Sequence, residues 1–256
     1  MRPDLPAVFL NAPITHRALH DVSQGRPENS RAAIRAAITA SYGIEIDLQL
    51  SRDDQAVVFH DYELARLAGQ PGVIRSLVAA EASAMPLLHG DGEGIPGLSE
   101  VLELVAGQVP LLIELKDQDG GMGPNIGPLE QATAQELASY SGPVAVMSFN
   151  PHSVAEMARL APGIARGLVT SSYGPEDWPL SATTRDHLRE IPDFDAVQAS
   201  FISHEAGDLD RPRVAELKAQ GVPILCWTIR SQAQEAKARE VADNVTFEGY
   251  LAAHPG

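Results

Sequence analysis

Gly43-Ile44-Glu45-Ile46-Asp47-Leu48-Gln49-Leu50, read with the segment that answers it, Val57-Val58-Phe59-His60-Asp61, decides the fold. Alternation along the first run puts Glu45, Asp47 and Gln49 on one face and Ile44, Ile46, Leu48 and Leu50 on the other, the period of a β-strand. Two neighbouring carboxylates on one face repel each other and resist burial, because an unpaired buried charge is strongly unfavourable. A cation between them removes that conflict. An all-oxygen ligand set selects a hard divalent ion, Mg²⁺ or Ca²⁺, over zinc or copper. Ser51-Arg52-Asp53-Asp54-Gln55 carries turn chemistry, so the two runs form a hairpin that returns His60 toward the acids.

Upstream, Ala7-Val8-Phe9-Leu10 and Pro13-Ile14-Thr15-His16-Arg17 read as a first short strand ending in a polar pair. Asn29 or Ser30 caps the next helix, whose inner stripe is Ile34, Ala37 and Ile38, and Gly43 stops it. Downstream, residues 62–97 have no sustained period and read as an insertion able to wall one side of a site. A helix resumes at Ser99 with Val101, Leu102 and Val105 apolar, and Gly107 ends it. Pro110 to Lys116 is a strand with Leu112, Glu114 and Lys116 on one face, so a third carboxylate reaches a strand end. The glycine-rich loop 117–128 lacks the Gly-Lys-Ser/Thr ending of a phosphate loop and reads as a flexible surface connection. Strands then follow at 144–148, 167–170, 195–199, 223–229 and 244–247. Helices alternate with them at 129–140, from Asn150-Pro151, and at 181–190, 214–220 and 231–242. Eight strands outside the returning arm, alternating with helices, predict a closed parallel (β/α)8 TIM barrel: one domain over 1–256 with the insertion 62–97 after the second-strand hairpin. The C-terminal strand ends of such a barrel carry its chemistry, and His16, Arg17, Glu45, Asp47, Glu114, Lys116 and Trp227 fall at or near those ends.

Composition narrows the function. Hydrophobic residues make up 44% and charged residues 21% of the 256 positions, which suits a packed core and not a disordered chain. With 19 Lys+Arg against 34 Asp+Glu the net charge is −15, which opposes nucleic acids and anionic membranes as partners. A small phosphate ligand remains compatible, since a bound cation and a few basic side chains reverse the sign locally. Cys226, alone in the apolar run Ile224-Leu225-Cys226-Trp227, reads as a small buried hydrophobe. The start lacks a signal-peptide pattern and no run approaches the ~18 apolar residues of a membrane span, so a cytoplasmic protein without stable membrane insertion is expected. Trp227 reads as an apolar wall of the site and Phe149 as barrel core. Glu28 either pairs with Arg17 or serves the helix start, and Asp61 either orients His60 or caps a turn.

In order, His16-Arg17, Pro27-Glu28-Asn29-Ser30, Glu45-x-Asp47-x-Gln49, His60-Asp61, Glu114-x-Lys116, Ser148-Phe149 and Trp227-Thr228 resemble the motifs of the glycerophosphodiester phosphodiesterases, and the resemblance runs from Ile14 to Thr246. It implies a phosphoric diester hydrolase on a (β/α)8 barrel, which releases sn-glycerol 3-phosphate and an alcohol. By the same resemblance Glu45, Asp47 and Glu114 hold one divalent cation, His16 and His60 are the acid–base pair, and Arg17 and Lys116 bind phosphate; the apolar wall read at Trp227 then faces the glycerol moiety of the substrate. The chemistry agrees: such a metal polarises phosphoryl oxygens, imidazoles exchange protons near neutral pH, and the arginine fork matches phosphate.

Three positions depart from the family pattern. Ala18 replaces the usual Gly after His-Arg. The last strand ends Thr246-Phe247-Glu248 where the family has Thr-Asp, so a polar contact is either missing or supplied by Glu248. Ser171-Ser172 match no assignable role. Other readings are a lysophospholipid-type phosphodiesterase, for which no amphipathic basic helix is visible; a barrel that binds a phosphorylated ligand without turnover; and a glycosidase using Glu45 and Glu114, which leaves Asp47, His16 and His60 without roles. The nucleophile stays open between water and a substrate hydroxyl, and the sequence specifies neither the alcohol group nor the oligomeric state.

Overall fold

The computed structural model describes residues 2–254. Nine strands occur among them: β1 (Ile14–Thr15), β2 (Gly43–Leu50), β3 (Ala56–Val58), β4 (Leu111–Leu115), β5 (Val144–Ser148), β6 (Ala165–Thr170), β7 (Phe201–Glu205), β8 (Ile224–Ile229) and β9 (Asn244–Phe247). Parallel pairing runs from β2 through β4, β5, β6, β7 and β8 to β9. β1 pairs in parallel with both β9 and β2 and so closes a ring of eight. Helices lie between successive barrel strands, giving the (β/α)8 TIM barrel expected from the alternation.

The hairpin is also present. β3 pairs antiparallel with β2, Val58 against Leu48 and Ala56 against Leu50. β1 covers only the start of β2, with Ile14 and Thr15 beside Gly43 and Ile44. Between these two partners, Ala18 N donates to Glu45 O and Phe59 N to Asp47 O. One edge of β2 is thus shared by the short first strand and the returning arm. That sharing sets His16 and Arg17 beside Glu45, and His60 just beyond Asp47.

The alternation of β2 sorts its side chains as the sequence requires. Ile44, Ile46, Leu48 and Leu50 pack outward with Ile34, Ala37, Val101 and Val105 of the flanking helices. Burying four such aliphatic side chains contributes roughly 6–12 kcal/mol, enough to carry an inner face that is polar. Inside the barrel, Ile14, Leu112, Ala145, Ala165, Phe201 and Leu225 form an apolar plug with Leu5 and Phe9 from the N-terminal segment. Asn244 Nδ2 fastens that segment by donating to Phe9 O at 2.7 Å and Ala12 O at 2.6 Å.

Two expected strands are corrected. Val8–Asn11 is a helix, leaving only Ile14–Thr15 of the first run in the sheet. Phe9 reads as a strand residue because it stands in an apolar run, but it joins the plug of the barrel floor from this helix. Asp195–Ala199 is a turn, and the sixth barrel strand is Phe201–Glu205. Val197 N donates to Asp193 O, Gln198 N to Asp195 O and Ala199 N to Phe194 O, while Gln198 takes φ 55°. The apolar residues there, Phe194, Val197 and Ala199, are buried under the turn and not within a ladder. One strand replaces the other, so eight is still the count.

Residues 62–97 form short helices at Ala65–Ala68, Ile74–Ser76 and Ala79–Ser83. These gather Leu64, Leu67, Ile74, Ala82 and Ile95 around Val57 and Phe59 of the hairpin arm. Cys226 is buried, and burial pushes its thiol up to about 12. Among the described residues no helix is long and apolar enough to cross a membrane.

Gly167 marks the tightest point of the plug. A Cβ there would lie 2.3 Å from the ring of fully buried Phe201. Gly167→Ala is expected to cost about 2–3 kcal/mol, read as a lower urea midpoint with an unchanged slope; an unchanged midpoint would contradict this packing.

Candidate active site

The polar faces of β2 and β4 meet at the barrel mouth, where Asp47 stands beside Glu114 in the parallel register. Glu45, Asp47 and Glu114 are all buried, and each offers an oxygen within 4.8 Å of the others. Lys116 Nζ, just past β4, lies 3.1 Å from Asp47 Oδ1 and 2.8 Å from Glu114 Oε1. Asn29 Nδ2 donates to Asp47 Oδ2 at 2.9 Å, and Arg17 N to Glu45 Oε2 at 2.8 Å. The remaining oxygen, Glu45 Oε1, is buried without a hydrogen-bond partner.

The charges are unevenly compensated. Burial, with Asp47 and Glu114 adding their repulsion, pushes the Glu45 carboxyl well above the usual range. Burial acts the same way on Asp47, but Lys116, His60, Arg17 and His16 outweigh it and hold that carboxyl well below the range. Burial disfavours the Lys116 ammonium, yet Asp47 and Glu114 raise its pKa above the ordinary value. One carboxylate therefore lacks a counter-charge in a cluster of three. A hard divalent cation fits these residues: the donors are all oxygen, they lie within mutual reach, and one carboxylate oxygen is orphaned.

Two histidines flank the cluster. His16 follows β1 directly, and its Nδ1 lies 2.6 Å from Oε2 of Glu248, the residue after β9. Arg230 Nε donates to the other oxygen of Glu248 at 2.8 Å. The hydrogen bond from His16, with His20 Nε2 3.5 Å away, holds the Glu248 carboxyl well below the usual range. His60 Nδ1 lies 2.7 Å from Asp61 Oδ1, and Arg66 Nε donates to Asp61 Oδ2 at 2.7 Å. Gln49 Nε2 donates to His60 O at 3.0 Å and steadies its backbone. An ionised carboxylate only accepts, so Nδ1 carries the proton in both rings and Nε2 is left free of these pairs. Burial lowers the His16 pKa by more than the Glu248 bond raises it.

The two ambiguities of the sequence resolve here: Asp61 orients His60, and Glu28 accepts from Arg17 Nη1 at 2.8 Å. Ser30 caps the following helix through Ala33 N, which frees Asn29 for Asp47. Arg17 and Ala18 both take left-handed backbone, φ 51° and 63°. The family's glycine suits that conformation, whereas Ala18 accepts it at a cost of about 1 kcal/mol. Ser171 and Ser172 both donate to Glu205 Oε2. The glycine loop is fastened by Asn150 Nδ2, which donates to Asp117 Oδ1 at 2.7 Å and Gly123 O at 2.8 Å.

A cleft of about 160 Å³ is lined by all eight residues singled out from the sequence: His16, Arg17, Glu45, Asp47, His60, Glu114, Lys116 and Trp227. Trp227 Nε1 donates to Ser203 O at 3.0 Å, which fixes the indole. Phe149, expected in the core, also lines the cleft. Its ring meets Trp227 edge-on at 5.5 Å, with Trp178 packed against it at 4.7 Å, so it extends the aromatic wall. Sequence reading missed Asn29 as a partner of Asp47, and it missed Ser203 and Thr246, which also line the cleft. Glu248 had a signal, since it occupies the position where the last strand was expected to end in an acid.

A profile of the glycerophosphoryl diester phosphodiesterase family matches residues 16–244. The chain is 29% identical over 232 residues to YhdW of Bacillus subtilis, covering 88% of each. It is also 29% identical over 234 residues to the glycerophosphodiester phosphodiesterase of Caldanaerobacter subterraneus subsp. tengcongensis, covering 87% of this chain and 89% of that one. An Oleispira antarctica phosphodiesterase, solved in complex with the product sn-glycerol-3-phosphate, matches with a TM-score of 0.73 at 26% identity, over 92% of this chain and 91% of that one.

The uncompensated carboxylate gives a test. The folded-state pKa of Glu45 lies above the unfolded value of 4.5, so this group's contribution to stability is full below that pH and is lost as pH rises through the folded pKa. Near neutral pH with chelator present, Glu45→Gln is expected to stabilise the protein by about 1 kcal/mol. Mg²⁺ or Ca²⁺ is expected to raise the melting temperature of the parent protein, and the same change should abolish that rise.

Proposed function

The chain belongs to the glycerophosphoryl diester phosphodiesterase family, and on that premise we propose that it hydrolyses glycerophosphodiesters to sn-glycerol 3-phosphate and an alcohol, with His16 and His60 exchanging the protons. The observation that supports this best is the pairing of two carboxylate-held imidazoles with three clustered acids around one cleft. Glu45, Asp47 and Glu114 are the proposed holders of a single Mg²⁺ or Ca²⁺. When bound, such an ion polarises the phosphoryl oxygens and lowers the pKa of an attacking hydroxyl or water.

The chain's own groups supply the remainder. Arg17 turns one guanidinium nitrogen to Glu28, while its buried Nε has no hydrogen-bond acceptor in the protein and is available to a phosphate oxygen. Lys116 adds a second positive charge at the same point. His16, kept neutral by burial, takes the proton from the nucleophile at Nε2 as the new P–O bond forms. Glu248 holds the tautomer that this requires and offsets the charge that develops on the ring. His60 enters the cycle as the imidazolium, its Nδ1–H held by Asp61, and gives its Nε2 proton to the alcohol oxygen as the second P–O bond breaks, so that it ends neutral with only Nδ1 protonated. Trp227 gives the glycerol carbons an apolar wall.

The altered end of β9 had motivated a non-catalytic reading. Glu248 instead provides a carboxylate to His16, which favours turnover. The net charge of −15 argues against anionic membranes and nucleic acids as partners. A small water-soluble diester in the cytoplasm is the setting we propose.

Release of sn-glycerol 3-phosphate from glycerophosphodiesters measures the reaction. Chelator should abolish it, and Mg²⁺ or Ca²⁺ should restore it. His16→Ala and His60→Ala should each lower kcat by about 10²–10⁴-fold while calorimetric metal binding is retained. Turnover that survives chelation would sink the scheme.

A further inference from the structure

Two hydroxyls in the cleft lack partners. Ser203 Oγ and Thr246 Oγ1 are buried, on residues only 0% and 1% exposed, and neither has a hydrogen-bonding atom of the protein within reach. Other buried hydroxyls of the barrel are satisfied: Thr15 Oγ1 donates to Gly43 O at 2.9 Å, Ser148 Oγ to Leu115 O at 2.7 Å, and Thr170 Oγ1 pairs with His204 Nδ1 at 2.7 Å. Among the described residues the one other orphan hydroxyl, Thr133 Oγ1, sits on the helix Pro128–Leu137 and does not line the cleft. Buried polar atoms are ordinarily paired, so two orphans lining one cleft call for a partner that enters it.

Their positions divide the cleft. In the ring of eight, β7 with Ser203 stands opposite β2 with Glu45 and Asp47, and β8 with Trp227 separates β7 from β9 with Thr246. One side of the mouth, from β1 to β4, is charged. The other, from β7 to β9, has its one charged lining residue, Arg230, neutralised by Glu248 at 2.8 Å, and the rest of its lining is uncharged, with two hydroxyls flanking an indole whose Nε1 is already committed to Ser203 O. A phosphate held on the charged side presents an ester arm to the neutral one. A glycerol arm offers carbons to the Trp227 face and hydroxyls that both donate and accept, as Ser and Thr hydroxyls do.

We propose that Ser203 and Thr246 recognise the glycerol hydroxyls of the substrate and thereby select the glycerol arm for the neutral side of the cleft. The assignment rests on the phosphodiesterase reading above and adds to it the residues that read the polyol. A site built to hydrogen-bond a hydroxyl strongly rejects an analogue lacking it, because its own buried groups are then left unpaired.

The test compares two probes on the metal-loaded protein by calorimetry: sn-glycerol 3-phosphate, and n-propyl phosphate, which keeps the carbon chain and the phosphate but has no hydroxyls. The parent protein is expected to prefer sn-glycerol 3-phosphate by about tenfold or more. The Ser203→Ala/Thr246→Val variant should bind both probes with the affinity the parent shows for n-propyl phosphate. Three results overturn the proposal: a preference retained in the variant, a preference absent from the parent, or a parallel loss of affinity for both probes, which would mean that the hydroxyls only maintain the cleft. Should the double variant not fold, the single variants are measured, each expected to lose about threefold of the preference, and retention in both overturns the proposal. Turnover is read on the same parent preparation. Preference without turnover removes the proposed reaction and leaves the glycerol subsite, whereas turnover without preference removes the subsite alone.

Discussion

Like charges confined in a small buried volume govern the architecture of this mouth. Glu45, Asp47 and Glu114 project from two hydrogen-bonded strands into the barrel, where burial and the charges of Asp47 and Glu114 push Glu45 toward protonation. Lys116 and Arg17 relieve Asp47 and leave Glu45 uncompensated, so the protein is incomplete as a purely structural object. What keeps the acids in place lies on the other side of the same strand. Ile44, Ile46, Leu48 and Leu50 are locked into the layer between sheet and helices, and a slip of one residue would send all of them into the polar mouth. Hydrophobic register thus fixes the carboxylates where electrostatics alone would disperse them.

The histidines depend on the same strand by a different route. β1 is two residues long, and past its end the edge of β2 is taken up first by the chain around Ala18 and then by the hairpin arm. His16 and His60 enter the site from those two segments, one on each side of the acids. Each ring is then fixed by its own carboxylate, and each carboxylate by an arginine: Glu248 with Arg230, Asp61 with Arg66. Such outer pairs set the tautomer and orientation of a ring before any ligand arrives.

What the sequence disclosed follows from where the physics is local. β2 was legible because alternation and turn chemistry sit within one short window, and the residues at its inner face are of a type that rarely faces inward. β7 was not, because its inner face runs Phe201, Ser203, Glu205 and its outer face includes His204, so polar residues blur the period on both sides. The neighbouring Asp195–Ala199 drew the strand assignment instead, since its apolar residues are buried for a tertiary reason, beneath a turn. Asn29 was ambiguous with Ser30 as a cap, and only the three-dimensional approach to Asp47 separates them. Phe149 reads as core by type, and its place on the wall depends on Trp178, distant in sequence.

Several departures from ordinary folding rules meet at this mouth. Ala18 holds a backbone conformation better suited to glycine, Glu45 is a buried carboxylate without a counter-charge, and Ser203 and Thr246 are buried hydroxyls without acceptors. Other buried polar side chains of the barrel, Thr15, Ser148 and Asn244 among them, find backbone partners. A sequence shaped only for stability would have removed these defects, since glycine, glutamine, alanine and valine are the simple remedies. An orphaned carboxylate oxygen and two orphaned hydroxyls that line one cleft, in a chain whose strand period and core packing agree, are the mark of a site whose missing partners come from outside the protein.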